Sequence, residues 1–562
     1  MVIIVILVAI MYVEHVKSRQ GKKVYTQILL RESYREKGAK RSLVKHRTLM
    51  NLTRCGPEDV RAIEWGLKHK KEIEGFEQLG KAQVVLRQDF AVGAVWVLWH
   101  VAKRIGLLQV LGRGRLARLG LWLVFARLIG QGSRLSAVRL ACSHAVCEIL
   151  GVEGFSEYDL YNAMDWLDKR QQLIETGLFR RRLSKQFSNL FLYDVTSSYL
   201  EGDCNAYGFY GYPRDGKRGK KQVVVGLLTD EEGVPVSIKV FKGNTQDPKT
   251  VTSQIHKIAR EFGIEEVTFV GDRGMIKSAQ IEELNNSSFH YITALTKPQI
   301  ESLIKKDIFQ LDLFDKDVFE VKLGRTRYIL RCNPFRKEEI SAVRKDKFKA
   351  LCCRAEERNA YLTNHPCAQT QVAERIVREY AEKLKIHKWV DICVEGRRIL
   401  VTGDDDKLEE VSRLDGCYVL KSDVPPDKAT AEQLHDRYKD LQKVEKAFRT
   451  MKSAYLELRP WFVRTHAHTR AHAFIVMLAY RIDIELENAW KKFDLTVEEG
   501  INDLSSLCAI DVNIGEGGYI TVPKPRENVA QLMEALELKL PTVLPRRKGK
   551  VAMKRTLKSR RK

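Results

Sequence analysis

NLFLYDVTSSYLEG, residues 189–202, reads as a β-strand with a carboxylate set into it. Leu190, Phe191, Leu192 and Tyr193 form the short apolar run of a central strand covered on both faces. Asp194 then brings in a residue type that strands disfavour, and one that costs several kcal/mol to bury without a partner. Bonds from neighbouring backbone N–H groups would satisfy an isolated case. A second stretch argues for more, because EEVTFVGDRGM (265–275) puts Asp272 at the end of another apolar strand, Val267 to Val270, just before a helix. A metal site between two strand ends accounts for both acids.

Outward from Asp194 come QVVVGLLTD (222–230) and VPVSIKVF (234–241), separated by the turn residues Glu231 to Gly233, which predicts two adjacent hairpins. FKGNTQDPKT (241–250) is a polar loop whose Asp247 can cap a helix starting at Pro248 and running through Ile255, Ile258 and Phe262. The Asp272 strand, a helix over Ile276 to Leu284 and a strand FHYITALT (289–296) complete the order β-β-β-α-β-α-β. That is the frame of ribonuclease-H-like domains, in which the first and fourth strands lie side by side and parallel, making Asp194 and Asp272 neighbours. The further helix of such a domain is delayed. From Pro298 to Pro426 the chain runs through a hairpin (VFEVKLGRTRYILRC, 318–332), a charged helical stretch (Arg336 to Lys385) and more strands (WVDICVEGRRILVTG, 389–403). We read this as a mixed α/β insertion closed by Pro425-Pro426.

The delayed helix is ATAEQLHDRYKDLQKVEKAFRTMKSAYLELRP, residues 429–460. At 100° per residue Leu434, Leu441, Val444, Phe448, Met451 and Tyr455 make one apolar stripe, with Glu445 at its edge. Tyr438, Arg449 and Lys452 fall within about 40° of Glu445. An ordinary i,i+4 ion pair would be worth only ~0.3–0.5 kcal/mol, and the two aspartates upstream favour a third carboxylate brought to the same place. Three carboxylates from two strands and a helix can hold two divalent cations ~3.5–4 Å apart, one activating the attacking oxygen and the other steadying the leaving oxygen of a phosphodiester. Hard oxygen ligands favour Mg²⁺, with Mn²⁺ as a substitute.

The 562 residues suffice for several domains, and a hydrophobic fraction of 44% supports more than one core. A net charge of +24 describes a protein drawn to polyanions, and the tail Arg546 to Lys562 alone holds ten Lys or Arg. No P-loop or dinucleotide fingerprint is present. The eleven cysteines lack any CxxC pair, so neither a zinc framework nor a disulfide scaffold is indicated, and reduced, cytosolic thiols are expected. The opening MVIIVILVAIMY is about half the ~20 apolar residues of a membrane helix. It lacks the features of a signal peptide, so residues 1–10 read as an upstream extension with Met11 as the start and no membrane association. Tyr12 to Arg47 suggests a small basic hairpin, in which the eleven Lys or Arg from Lys17 onward face only Glu32 and Glu36. Between Ala91 and Cys147 there is no Asp or Glu, while Lys103, Arg104, Arg113, Arg115, Arg118, Arg127, Arg134 and Arg139 are spread through Leu- and Val-rich helical sequence. Phosphate contact explains this pattern, and arginines covering a helical core would look similar.

These motifs resemble the DDE transposases of bacterial insertion sequences, in the group marked by Tyr-x2-Arg-x3-Glu-x6-Lys. Tyr438, Glu445 and Lys452 match that signature, and Leu441 stands where it has Arg. DVTSSYLEG, GLLTD, FxGNTxD, GDRGM, LDGCYVLKSD and YKDLQKVEKAFRTMKS…LRPWFVRTH extend the resemblance from Met11 to about Asn488. It implies that Asp194, Asp272 and Glu445 are the catalytic, metal-binding triad and that Tyr438 and Lys452 meet DNA near the cleaved end. With arginine absent from 441, we assign the phosphate clamp to Arg449. It implies an enzyme that cuts element ends and joins the freed 3′-hydroxyl to target DNA, as a homodimer in the end complex, in a bacterial cytoplasm at the nucleoid. A nuclease of the same fold, or an inactive DNA-binding relic, are the alternatives. The expected domains are an N-terminal basic β-containing module (11–90), a helical DNA-binding region (91–185), the ribonuclease-H-like catalytic domain (186–297 and 427–490), the insertion (298–426), a C-terminal region (491–545) and the basic tail (546–562). His466, His468 and His472 look like a metal cluster, but beside Arg464 and Arg470 at the start of an apolar helix they fit DNA contact or capping better. Asp203, Asp230 and Asp247 read as turn or capping residues, and Asn244 as loop-shaping.

Overall fold

The computed structural model describes residues 10–20, 23–37, 42–68, 84–184 and 189–545, apart from 203, 215, 259–261, 263–265, 274, 287–288, 311–312, 315–317, 460 and 515–516. The run 1–9, the tail 546–562 and Asp203 therefore lie outside the described residues. The chain divides into two compact units. One comprises the N-terminal residues to Asp89 with Ala509–Pro523 and the segment from Thr542; the other comprises Phe90–Cys508 with Lys524–Pro541.

In the first unit β1 (Ile10–Gln20), β2 (Lys23–Lys37) and β3 (Ser42–Asn51) form an antiparallel meander. The small hairpin expected over 12–47 is thus three strands. At 15 residues β2 is long enough to be paired on both edges, with a register shift at Leu30/Arg31. The few acids are used in place, since Glu14 pairs with Arg31 (2.7 Å) and Glu32 with Arg47 directly opposite it (2.6 Å). A helix, Pro57–Lys68, buries Val60, and Leu29 and Leu52 are buried with it. β4 (Val84–Ala91) joins a second sheet with Cys508–Ile514, Gly517–Thr521 and Val543–Leu544. The expected C-terminal region is therefore shared out: its strands serve the first unit, while its helices Val497–Ser505 and Glu527–Glu534 belong to the second.

The second unit opens with helices. Arg115–Gly130 is apolar nearly all round and is buried from Leu119 to Leu128 as the centre of a bundle. Its acid-free sequence has a structural explanation, because the acids come from elsewhere. Arg127 is 3% exposed and donates to Glu457 (2.7 Å) and the Gly132 carbonyl (3.0 Å). Arg115 pairs with Asp159 (2.9 Å), and Arg104, Arg118 and Arg134 donate to the carbonyls of Leu536, Gly151 and Gly132. Five of the eight cations singled out by sequence thus staple the protein to itself. We expect Arg127→Met to lower stability by about 3–5 kcal/mol, because the Glu457 carboxylate loses its cation and keeps the Gly132 N–H (2.7 Å); chemical denaturation measures this, and an unchanged midpoint would show that the pair contributes nothing.

The main sheet is mixed. Its strands are β5 (Leu190–Tyr199), β6 (Gln222–Asp230), β7 (Pro235–Lys242), β8 (Thr268–Gly271), β9 (His290–Ala294), β10 (Phe319–Leu323) and β11 (Thr326–Cys332), followed, after the separate hairpin β12 (Val390–Glu395) and β13 (Arg398–Gly403), by β14 (Cys417–Ser422). The order is β10-β11-β14-β9-β8-β5-β6-β7. The pairs β5–β8 and β8–β9 are parallel and the rest antiparallel, so the first and fourth strands of the catalytic frame are neighbours. Phe191, Tyr193 and Val195 face a core with Phe179, Val251, Ile255, Phe262, Phe269 and Leu284. Large side chains buried this fully contribute ~1.5–3 kcal/mol each. The buried Glu175 of helix Glu157–Leu183 adds a polar tie, accepting from Ser237 (3.1 Å), Ile238 N–H (3.2 Å), Gln171 (2.8 Å) and Lys257.

Three expectations are corrected. Residues 298–426 do not stand apart as one insertion: β10, β11 and β14 extend the main sheet, because β14 pairs antiparallel with the outer edge of β9. Helices Pro334–Asn364 and Thr370–Leu384 with β12 and β13 build one core, around Leu351, Val377 and Trp389, and Ile300, Phe309, Leu330 and Val419 share another. The helix after β7 begins at Asp247 with Gln246 in the cap position, so Asp247 is not its cap; its carboxylate pairs with Arg214. The long helix of 429–460 is two, Ala431–Lys439 and Leu441–Lys452, joined at Asp440. Lys443 Nζ in the second of them donates to the Glu231 carbonyl (2.6 Å) in the turn between β6 and β7. None of the eleven cysteines is in a disulfide. Among the described residues no helix is long and apolar enough to cross a membrane.

Candidate active site

The site starts from strand register. Tyr193 pairs with Gly271 across the parallel β5–β8 ladder, so the next step along each chain brings Asp194 beside Asp272. Side chains alternate along a strand, and with Tyr193 in the core Asp194 faces the opposite side. Helix Leu441–Lys452 holds that side: Lys452 Nζ donates to Thr196 Oγ1 (2.5 Å) and the Ser197 carbonyl (2.8 Å), and the Trp461 indole donates to Ser198 Oγ (2.9 Å). The apolar stripe read from sequence is buried throughout, from Leu434 to Tyr455, leaving Glu445 and Arg449 exposed.

The three acids share one electrostatic field. Burial pushes the Asp194 carboxyl up to about 7, and the charges of Asp272 and Glu445 push it the same way, against the Val195 N–H on its Oδ1 (2.7 Å) and the guanidinium of Arg214. Asp272 is exposed and accepts from the Tyr438 hydroxyl at 3.2 Å. Burial, and then the Asp272 charge, raise that phenol and keep it a donor. Arg273 lies near enough to Tyr438 to oppose the shift. Among the described residues no group of three or more His, Cys, Asp or Glu is gathered closely enough to hold a metal. Like charges repel in a site of this kind, and the donor chemistry, carboxylate oxygens alone, suits a hard divalent cation.

Other residues fall where the sequence reading did not always expect. Asp230 does shape its turn, accepting from Glu232 N–H (3.1 Å) and Val234 N–H (2.9 Å) while pairing with Arg182. Asn244 is exposed in the turn that Thr245 N–H closes onto Lys242 O (2.9 Å). The histidines do not converge. His472 is buried with its Nε2 on the Leu458 carbonyl (3.2 Å), His468 meets Asp165 (3.2 Å), and His466 packs on the Tyr207 ring; the helix cap itself is Thr465. Sequence reasoning missed Arg214 and Arg273, the first hidden in a tyrosine-rich loop and the second inside GDRGM.

Leu441 is 7% exposed at the start of its helix, in the core-facing stripe. We therefore expect Leu441→Arg to destabilise the protein by about 2–4 kcal/mol through burial of an unpaired charge, and to lower cleavage instead of restoring a clamp. A stable and more active variant in thermal melts and end-cleavage assays would reverse that assignment.

No curated protein sequence matches the chain. Solved structures that match include the piggyBac transposase synaptic complex with hairpin DNA, at 8% identity over 74% of this chain and 76% of that one, with a TM-score of 0.34. Residues 13–82 match the family model described as IS1634 family transposase, N-terminal domain, and residues 185–482 match the model described as transposase DDE domain. With that second match spanning more than half of its length, the chain belongs to the DDE-domain transposases of insertion sequences, enzymes that cut DNA and transfer strands.

Proposed function

We propose that the protein binds the ends of its own element, hydrolyses a phosphodiester there and joins the freed 3′-hydroxyl to target DNA, using Asp194, Asp272 and Glu445 on a ribonuclease-H-like core interrupted between the second and third acid. The observation that supports this is the parallel register that sets Asp194 beside Asp272, where burial first, and then the charges of Asp272 and Glu445, raise Asp194. When bound, Mg²⁺ or Mn²⁺ would supply charge neutralisation and an activated oxygen nucleophile. The chain's own residues do the rest. Tyr438 orients Asp272, and Arg449, one turn beyond Glu445 and exposed, grips a phosphate with its two-pronged guanidinium. Lys452 braces β5 and meets DNA by sharing its three N–H donors. Two copies hold two ends, in the bacterial cytoplasm, and the basic N-terminal module and the helices of 91–185 add phosphate contacts.

Cutting of a labelled end by purified protein only in Mg²⁺ or Mn²⁺ tests the proposal, and equal cutting in EDTA would sink it. Metal binding has a second readout. With Asp194 at about 7 in the folded chain and about 3.9 unfolded, the folded state holds the extra proton, so metal-free stability falls as pH rises from about 4 to 7. A divalent cation should reverse that loss. Its stabilisation in thermal melts is expected to be larger at pH 8 than at pH 6, and a pH-independent shift would count against Asp194 as a ligand.

A further inference from the structure

The segment 204–214 between β5 and β6 is fastened along its length. Asn205 donates its amide to the Val463 carbonyl (2.7 Å) and Thr469 Oγ1 (3.0 Å), and Ala206 N–H donates to Arg464 O (2.9 Å). Phe209 exchanges both backbone bonds with Gln222 (3.1 and 2.9 Å), and the buried Gln222 amide donates to the carbonyls of Tyr212 and Gly243 at 2.9 Å each. Gly211 is pressed so close to Gly243 that a Cβ would sit 2.0 Å from that carbonyl oxygen. Only glycine allows the approach.

A backbone held this firmly nevertheless leaves two large rings in water: Tyr210 is 65% and Tyr212 79% exposed. Cations lie near both ends of the segment that carries them. Tyr199, in register with Gln222, has Lys217, Lys220 and Arg459 over its ring at 5.9, 5.6 and 5.5 Å. At the far end Arg214 N–H bonds Ser197 Oγ (3.0 Å), and its side chain pairs with Asp247 within the field of Asp194. Exposed aromatic rings on a fixed backbone, set in a run of cations, are the arrangement that binds unpaired nucleotides, since each base has a face to stack while the cations track the phosphates. Bases in an intact duplex are already stacked on one another and offer no face to such rings.

We infer that Tyr210 and Tyr212 form a stacking platform for unpaired bases of the DNA strand at the active-site rim, an inference that rests on the reading of this face as the DNA-cutting one. Binding of a labelled short oligothymidylate and of a matched duplex to the full-length protein, both in EDTA, separates the two. Tyr210→Ala with Tyr212→Ala should weaken single-strand binding roughly tenfold or more per stacked base, leave duplex binding and the melting temperature nearly unchanged, and be rescued by Phe at both positions. Unchanged single-strand binding, an equal loss on the duplex, or failure of Phe to rescue would overturn the platform. Wild-type cutting in Mg²⁺ is measured alongside. Tyrosine-dependent strand binding without any cutting would keep the platform and remove the transposase chemistry; cutting without it would do the reverse.

Discussion

Asp194→Asn, Asp272→Asn and Glu445→Gln are each expected to reduce cleavage of an element end by about a thousandfold or more, while end binding changes by less than about threefold. Each substitution keeps the shape of the side chain and removes the charge that would hold a cation, so a binding defect of similar size would point to lost structure. Asp194→Asn carries a further expectation. The charged form of Asp194 is the disfavoured one in the metal-free site, where burial and then its two acidic neighbours push the carboxyl up to about 7. Asparagine relieves that repulsion. At pH 8 the metal-free variant should therefore be more stable than the wild type, by on the order of 1–3 kcal/mol, and should no longer be stabilised by Mg²⁺. Wild-type cleavage by any one of the three variants would remove that residue from the triad, and a less stable Asp194→Asn would mean that burial and the neighbouring acids do not disfavour the charged form of Asp194.

What could be read from sequence follows from the range of the forces involved. Strands covered on both faces appear as continuous apolar runs, so β5, β6, β8 and β9 were legible, and with them the adjacency of Asp194 and Asp272. The stripe from Leu434 to Tyr455 was legible because helical periodicity is local. The break at Asp440 was not, since Asp440 itself keeps helical angles (φ −60, ψ −15) and no glycine or proline marks it. Nor was the fate of the acid-free arginines, because Arg127 finds Glu457 only once the chain has folded across 330 residues. The apolar run Tyr328 to Leu330 announces β11 without naming its partners; that β14 would cover the free edge of β9, and so carry much of the expected insertion into the main sheet, is a tertiary choice. Arg214 was invisible for the same reason: its sequence neighbours say nothing of Asp247, which it pairs with, or of Asp194, which it acts on.

Arg327 shows what such a tertiary choice contributes to the site. It lies in β11, far in sequence from every acid of the triad, yet is 3% exposed and uses its whole guanidinium: Nε and Nη2 grip the two oxygens of Glu320 (2.9 and 2.8 Å), while Nη1 donates to the carbonyls of Val424 (2.9 Å) and Ala429 (2.8 Å). Those two carbonyls bracket Pro425-Pro426, where the chain leaves β14 for the helices that carry Tyr438 and Glu445. Neither proline can donate a backbone hydrogen bond to fix this turn, so the arginine fixes it from the sheet. Arg327→Ala is expected to cost about 3–5 kcal/mol, because it takes the guanidinium from a partly buried carboxylate, left with the more distant Lys322 (3.8 Å), and from two carbonyls at once. It should also slow cleavage at a temperature where the variant remains folded, through a glutamate helix no longer held in place. Arg327→Lys keeps the charge but offers a single ammonium where four bonds are made, so it should recover part of the stability and less of the activity. Melting curves and single-turnover cleavage on the three proteins decide the matter: an Arg327→Ala protein that melts and cuts like the wild type would mean that the glutamate helix is positioned by its own buried stripe alone.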